Sequence, residues 1–219
     1  MTINPPLLIA GAGPVGLSLA LALARQHLPV EIFEADPELN TEIRASTFHP
    51  RTLEMFAEWG VVDEFLAQGH RVDRLQYWER APRRLIAEFD YALIANDTPY
   101  PFRLQCPQHL ATRILKPAVE AAGGKVHMAH RLVDLTHHET HITATFETPN
   151  GLVHRDAAYF IGTDGSRSTT RHLLGLSFEG MTYEDRFLLI GTNPGASACD
   201  NEAPKASVAA SSGRLSDRL

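Results

Sequence analysis

The chain has 219 residues, room for one large domain or one and a half, and its 44% hydrophobic and 21% charged content suits a globular protein with a buried core. A net charge of −6 and a pI near 6.0 supply no basic field, so nucleic acid and anionic lipid are excluded as expected partners. Cys106 and Cys199 form no motif and fit a reducing, cytoplasmic setting. His137, His138 and His141 lack a cysteine or second acidic ligand at zinc spacing, so they read as loop histidines and no metal is expected.

The first element is the apolar run Leu7-Leu8-Ile9-Ala10, which suits a strand buried on both faces. Gly11, Gly13 and Gly16 follow in the spacing G-x-G-x-x-G, and Pro14-Val15 opens an apolar helical run that reaches Arg25. A second strand, Val30 to Phe33, ends on Glu34 and Ala35. This order is that of a dinucleotide site. Gly11 allows the tight turn, Gly13 lets a diphosphate approach the backbone, and Gly16 lets helix and strand pack closely. The helix N-terminus turns free N–H groups and a positive dipole toward phosphate. Glu34 suits ribose hydroxyls and repels a 2′-phosphate, which points to FAD or NAD and away from NADP. The uncharged stretch Leu7 to Ala24 could pass for a membrane span, but no basic residue precedes it and its glycines and proline interrupt it, so no membrane insertion is expected.

A polar loop from Ala35 to Asn40 leads to Arg44-Ala45-Ser46 and to a helix entered at His49-Pro50 and stopped by Gly60. A short helix spans Val61 to Ala67. Leu75, Tyr77, Leu85, Ile86 and Phe89 read as two strands around Ala81-Pro82, an antiparallel piece covered on one side. Phe102 to Cys106 is a further strand, and Pro107-Gln108 opens a helix ending at Gly123-Gly124. Strands follow at Lys125–Met128, Leu132–Thr136, Ile142–Phe146 and Ala158–Ile161, giving a meander from Lys125 to Phe146. Asp164-Gly165 then leads into a helix carrying Arg167 and Arg171, and Phe187–Ile190 is a last strand. A nicotinamide dehydrogenase continues with more βαβ units after its fingerprint. Inserted strands and a meander argue against one here.

On three stretches the chain resembles the single-component FAD-dependent aromatic hydroxylases, typified by para-hydroxybenzoate hydroxylase. They are Gly11-Ala12-Gly13-Pro14-Val15-Gly16 with Ala20 and Glu34; Arg44-Ala45 with His49-Pro50-Arg51-Thr52-Leu53-Glu54; and Gly162-Thr163-Asp164-Gly165-Ser166-Arg167-Ser168 with Arg171 and Gly175. The resemblance runs from about Leu7 to about Ile190. It implies an α/β, Rossmann-like FAD-binding fold with a parallel sheet, a β-meander and a partial inserted antiparallel substrate-domain sheet. The implied segments are 1–70 and 106–180 for the FAD-binding domain, 71–105 for inserted strands, and 181–191 for the start of a further substrate-domain part. It also implies FAD as cofactor, NAD(P)H as transient reductant and hydroxylation of a small phenolic substrate. The cofactor residues it implies are Gly11, Gly13, Pro14, Val15, Gly16, Glu34, Ala35, Arg44, Gln108, Asp164 and Gly165. No residue is assigned as acid, base or nucleophile, and the oligomeric state is left open.

Two departures stand out. His27 sits where relatives often have glycine, a tolerable change because His can enter the left-handed region. The family's third motif, a Gly-Asp pair, occurs nowhere in the chain. The stretch from Thr192 to Leu219 is rich in Ala, Ser, Gly and Pro and poor in large apolar side chains, so it reads as a disordered tail replacing the usual continuation. The expectation is therefore the N-terminal part of a flavin monooxygenase, truncated after the second FAD motif and inactive by itself. An NAD-dependent Rossmann oxidoreductase and a non-catalytic remnant are the alternatives.

Overall fold

The computed structural model describes residues 5–42, 44–79 and 81–181. The expected strand Phe187–Ile190 and the tail from Thr192 lie outside the described residues, as does Cys199. The chain opens with β1 (Leu7–Ala10), α1 (Pro14–Arg25) and β2 (Val30–Phe33). Then come β3 (Thr47–Phe48), α2 (Pro50–Glu58), α3 (Val62–Gln68), β4 (His70–Val72), β5 (Arg74–Glu79) and β6 (Arg84–Asp90). A 3₁₀ turn at Tyr91–Ile94 leads to β7 (Arg103–Gln105) and α4 (Gln108–Ala121). The last elements are β8 (Lys125–His127), β9 (Arg131–His137), β10 (Ile142–Thr148), β11 (Gly151–Ala157), β12 (Tyr159–Gly162) and α5 (Thr169–Leu173). Among the described residues two compact units emerge, one from residue 5 to 75 with 88–177 and one from 76 to 87 with 178–181.

The first unit is built on a four-stranded sheet in the order β12-β1-β2-β8, with every pair parallel. Such a sheet must be covered on both faces, and alternation along the strands decides what covers each. Ile9, Val30 and Ile32 join Leu17, Leu21, Leu115 and Val119 in one core under α1 and α4. Leu8, Ala10 and Phe33 turn the other way, onto Leu132, Ala144, Phe146 and Ala157 of the antiparallel sheet β11-β10-β9. Phe146 is fully buried and stacks on Phe33 with ring centroids 4.0 Å apart. Burying such a ring contributes about 1.5–3 kcal/mol.

Strand membership corrects part of the sequence reading. Lys125–His127 does not begin the meander. It pairs parallel with β2, because α4 acts as the crossover helix that returns the chain to that sheet. The third meander strand is instead Gly151–Ala157, which the sequence reading passed over. Its burial runs mostly exposed, the pattern of an outer strand whose sequence shows no apolar alternation. The short strand β4 also went unread, and it pairs with β7 to give a small sheet β3-β7-β4. In the second unit, residues 76–79 and 84–87 belong to β5 and β6, which form a two-stranded sheet around Ala81-Pro82, as expected. His27 adopts φ 60°, the left-handed conformation a helix-end glycine would take.

Candidate functional site

The parallel strands bring the ends of β1, β2, β8 and β12 to one edge of the sheet, where open α/β sheets hold ligands. The last turns of α1 and α4 line one cleft through Leu21, Arg25, Ala118 and Ala121, so the two helices run side by side in the same sense. Their first turns, at Gly13-Pro14 and Pro107-Gln108, therefore share the other end, the end where α1 leaves β1.

At that edge the glycine turn is held from three sides. Gly11 has φ 98°, and its N–H donates to the Phe33 carbonyl at 2.7 Å. A Cβ on Gly11 would stand 2.8 Å from the Thr163 carbonyl oxygen and 2.9 Å from the Asp164 Cα. One on Gly16 would overlap the Gly11 carbonyl oxygen. Thr163 supplies the lock: its Oγ1 donates to the carbonyls of Ala10 and Gly11 at 2.8 and 3.0 Å. Two motifs about 150 residues apart thus interlock through backbone that only glycine leaves accessible. Gly13 differs from both, since nothing lies within 4 Å of where its Cβ would be. It is the N-cap of α1, no side chain caps the helix, and no acidic residue lies in its first turn. Pro14 takes the first helical position and Val15 stands 67% exposed beside this gap. An anion can approach these amides.

Glu34 turns toward the turn, not away from it. Its Oε2 accepts from the Ala12 N–H at 2.8 Å and its Oε1 from the Asp36 N–H at 3.1 Å. A carboxylate has about four lone-pair sites, so acceptor capacity remains for hydroxyl donors. The main chain of Glu34 is clamped as well. Its N–H donates to the His127 carbonyl at 2.8 Å, and the His130 N–H donates to its carbonyl at 2.7 Å. Ala129, between them at φ 56°, donates to the Asp36 carbonyl. This clamp escaped the sequence reading, and nothing local announces it, because it depends on β8 lying beside β2. Ala35 follows at a half-buried position.

His127 also anchors its neighbourhood through its ring, which stacks on Phe33 at 4.6 Å. Its Nε2 lies 2.8 Å from Glu31 Oε2, and Lys125 Nζ donates to Glu31 Oε1 at 2.9 Å. Burial pushes the His127 ring below its ordinary value, outweighing the opposing pull of the Glu31 carboxylate. Glu31 is held below the usual carboxylate value: burial raises it, but bonds from Lys125 and His127 prevail. The pair is thus a neutral ring donating to a charged carboxylate.

Asp164 uses its carboxylate to start α5. Oδ1 accepts from Ser168 Oγ at 2.6 Å, and Oδ2 accepts from the Thr170 N–H at 2.9 Å and Thr170 Oγ1 at 3.1 Å. Burial would raise its pKa, yet these donors hold it below the ordinary value. Gly165 provides the φ of 82° that turns the chain after it. Ser168 is the N-cap and accepts from the Arg171 N–H, so α5 begins at Thr169 and Arg167 precedes it instead of riding on it as expected. Arg171 reaches back to the Ser166 carbonyl at 3.0 Å.

The segment that follows Arg44 meets the start of α4 through the small sheet. Thr47 pairs with Gln105, and the ladder continues as Cys106 N–H to the Ser46 carbonyl and Gln108 N–H to the Ala45 carbonyl. Gln108 is the first residue of α4. The Arg44 guanidinium lies at the surface and pairs with Glu42 at 2.9 Å. Arg44 is exposed, so this pair is worth little and is easily exchanged for another anion. Among the described residues no group of three or more His, Cys, Asp or Glu is arranged to hold a metal, and no helix is long and apolar enough to cross a membrane.

The glycine turn thus carries the Glu34 carboxylate on one side and the Thr163-Asp164-Gly165 loop on the other. The model of the FAD binding domain family matches residues 5–213, past the limit near Ile190 read from the motifs. The chain belongs to this family. It is 29% identical over 188 residues to para-nitrophenol 4-monooxygenase of Pseudomonas sp. strain WBC-3, covering 85% of this chain and 46% of that protein. The crystal structure of p-nitrophenol 4-monooxygenase PnpA from Pseudomonas putida DLL-E4 superposes with a TM-score of 0.78 at 26% identity, covering 82% of this chain and 46% of that one. The flavin-dependent monooxygenase PieE, solved in complex with FAD and substrate, gives 0.72 at 27% identity, with 82% and 33% covered. The fold is thus the Rossmann-like FAD-binding fold of aromatic hydroxylase-type flavin monooxygenases, and FAD is the family's cofactor. The chain spans less than half the length of these relatives.

Proposed function

We propose that this chain is the FAD-binding part of an NAD(P)H-using flavin monooxygenase that hydroxylates a phenolic ring. The observation that carries the reading is the Glu34 carboxylate turned onto the glycine turn, 2.8 Å from the Ala12 amide, beside the open space at Gly13. The residues fit the cofactor. The free N–H groups of Gly13, Val15 and Gly16 would hold the diphosphate, with Pro14 starting the helix beside them, Gly11 shaping the turn and Glu34 and Ala35 at the adenosine ribose. Arg44 would pair with the diphosphate, giving up Glu42 to do so, and Gln108 would meet the ribityl-phosphate portion of the cofactor. Asp164 and Gly165 would act by shape, since the carboxylate is committed to α5 and the loop braces the turn. FAD, when bound, supplies the redox chemistry; the chain binds it, orients it and keeps water from one side.

The phenolic substrate is argued from the relatives, two of which are named for nitrophenol. Residues 71–105 contribute the inserted strands of the substrate-binding part, and the isolated chain does not turn over. Titration of the purified chain with FAD, read by flavin fluorescence, tests the reading: saturable binding is expected, and binding of NAD in its place would overturn it. Adding NADH or NADPH with 4-nitrophenol should give no hydroxylated product; product from the isolated chain would overturn the claim of inactivity.

A further inference from the structure

The cleft at the last turns of α1 and α4 stands apart from the cofactor site, because the glycine turn lies at the other end of α1. That helix is 12 residues long, about 18 Å from end to end. The cleft holds about 520 Å³, and the turn into α3 and α3 itself add a further wall through Trp59, Val61, Glu64 and Gln68. This volume lies in the range of small-molecule sites. The space exists because several lining residues are small: Gly60, Pro117, Ala118 and Ala121 stand where larger apolar side chains would close it. Its floor is apolar, with Leu21, Val61 and Ile114 buried. Trp59 is half-buried beside them and packs on Phe56 with ring centroids 5.9 Å apart.

Two guanidiniums stand on this cleft, from Arg25 and Arg113, and Glu64 is its one acid. The positive excess is local, since the whole chain carries a net charge of −6. No ion pair among the described residues engages Arg25 or Arg113, and the pair on α4 joins Lys116 to Glu120 instead. Arg25 is held in place all the same. Its guanidinium lies over the end of α2, 3.6 Å from where a Cβ on Gly60 would stand, and α2 has no basic residue in its own last turn. Each guanidinium presents its N–H donors in a planar fork that matches a carboxylate in two parallel bonds. A bare anion would leave the apolar floor unused, and an uncharged body would leave both forks unpaired. We propose that this cleft is a second ligand site, which binds a small aromatic carboxylate with its ring on Leu21, Ile114 and Trp59 and its charge on Arg25 and Arg113. The ligand is held there and not converted, because the cofactor site is at the opposite end of the sheet.

2-Naphthoate is the probe, because it is aromatic, ionised at neutral pH and small enough for the cleft. Calorimetric titration of the purified chain should give one saturable site with a Kd on the order of 10–100 μM. The uncharged 2-naphthamide should bind about tenfold more weakly or worse. Arg113→Gln should weaken 2-naphthoate about tenfold, and Arg113→Lys should recover part of the loss, because it keeps the charge without the fork. Thermal melting should not fall in either variant, since Arg113 is exposed and gives up no partner. The bound ring should also quench tryptophan fluorescence, an effect that Trp59→Phe removes and Trp78→Phe keeps. Absence of saturable binding, full affinity in Arg113→Gln, or equal binding of the amide would overturn the proposal. Displacement by millimolar inorganic phosphate would make the cleft a bare anion site, and displacement by FAD would put the naphthoate in the cofactor site; either result overturns it as well. Failure of the chain to bind FAD would sink the cofactor reading alone, because the naphthoate titration is run without FAD.

Discussion

The glycine turn and the outer face of β3-β7-β4 lie in the same compact unit and treat their polar groups in opposite ways. At the turn nearly every group has a partner within the chain. Thr163 bonds two carbonyls, Glu34 bonds two amides, and Asp164 bonds three donors. What is left open is space, at Gly13, and the free amides of a helix end. On the small sheet the Ser46 and Thr47 hydroxyls are satisfied by the Gln105 carboxamide, while Arg103 Nε is buried with no partner. A site made of backbone can be complete before its ligand arrives, because amides carry no net charge and cost little to leave facing solvent.

Breaking that contrast should show two different signatures. The largest effect is expected from Gly16→Val, whose Cβ overlaps the Gly11 carbonyl oxygen; it should cost at least about 3–4 kcal/mol in chemical denaturation and abolish FAD binding together with stability. Phe146→Ala should cost a comparable ~3–5 kcal/mol by opening a cavity beneath Phe33, but it lies under the meander and should weaken FAD binding only through stability. Gly13→Ala separates the two quantities. Its backbone is extended and its Cβ would meet nothing, so stability should change by less than about 0.5 kcal/mol while FAD affinity falls tenfold or more in a fluorescence titration. A variant that keeps full affinity would show that the diphosphate does not lie there.

Smaller effects should come from charge. Glu34→Gln retains an acceptor for the Ala12 amide but exchanges a charged acceptor for a neutral one, and should lower FAD affinity by about fivefold to tenfold with little loss of stability. The smallest effect is pH-dependent. His127, Glu31 and Asp164 all sit below their ordinary values of 6.5, 4.5 and 3.8. For each, the unfolded chain binds its proton at a higher pH than the folded chain does. The stabilisation is therefore present above the unfolded values and drains away as pH falls through the folded ones. His127 acts first, so melting temperature should begin to fall just below pH 6.5, and the two carboxylates should deepen the fall below about pH 4.5. In His127→Phe, which keeps the ring stack but cannot be protonated, the first part of that fall should vanish; its persistence would remove His127 from the account.

The amino-acid order by itself determined what depends on near neighbours. The turn at Gly11, Gly13 and Gly16, the acid at Glu34, the α4 start at Pro107-Gln108 and the left-handed His27 all follow from local steric rules, and all were legible. Long-range pairing was not. Membership of β8 in the parallel sheet, the mostly exposed strand β11, the Thr163 lock and the clamp of His127 to His130 on Glu34 depend on which strands lie side by side. Periodicity reports which way a side chain faces, not which strand stands next to it. Arg103 shows the same division: its place in a strand was readable, but an unpartnered buried nitrogen exists only once the surrounding sheet has excluded water.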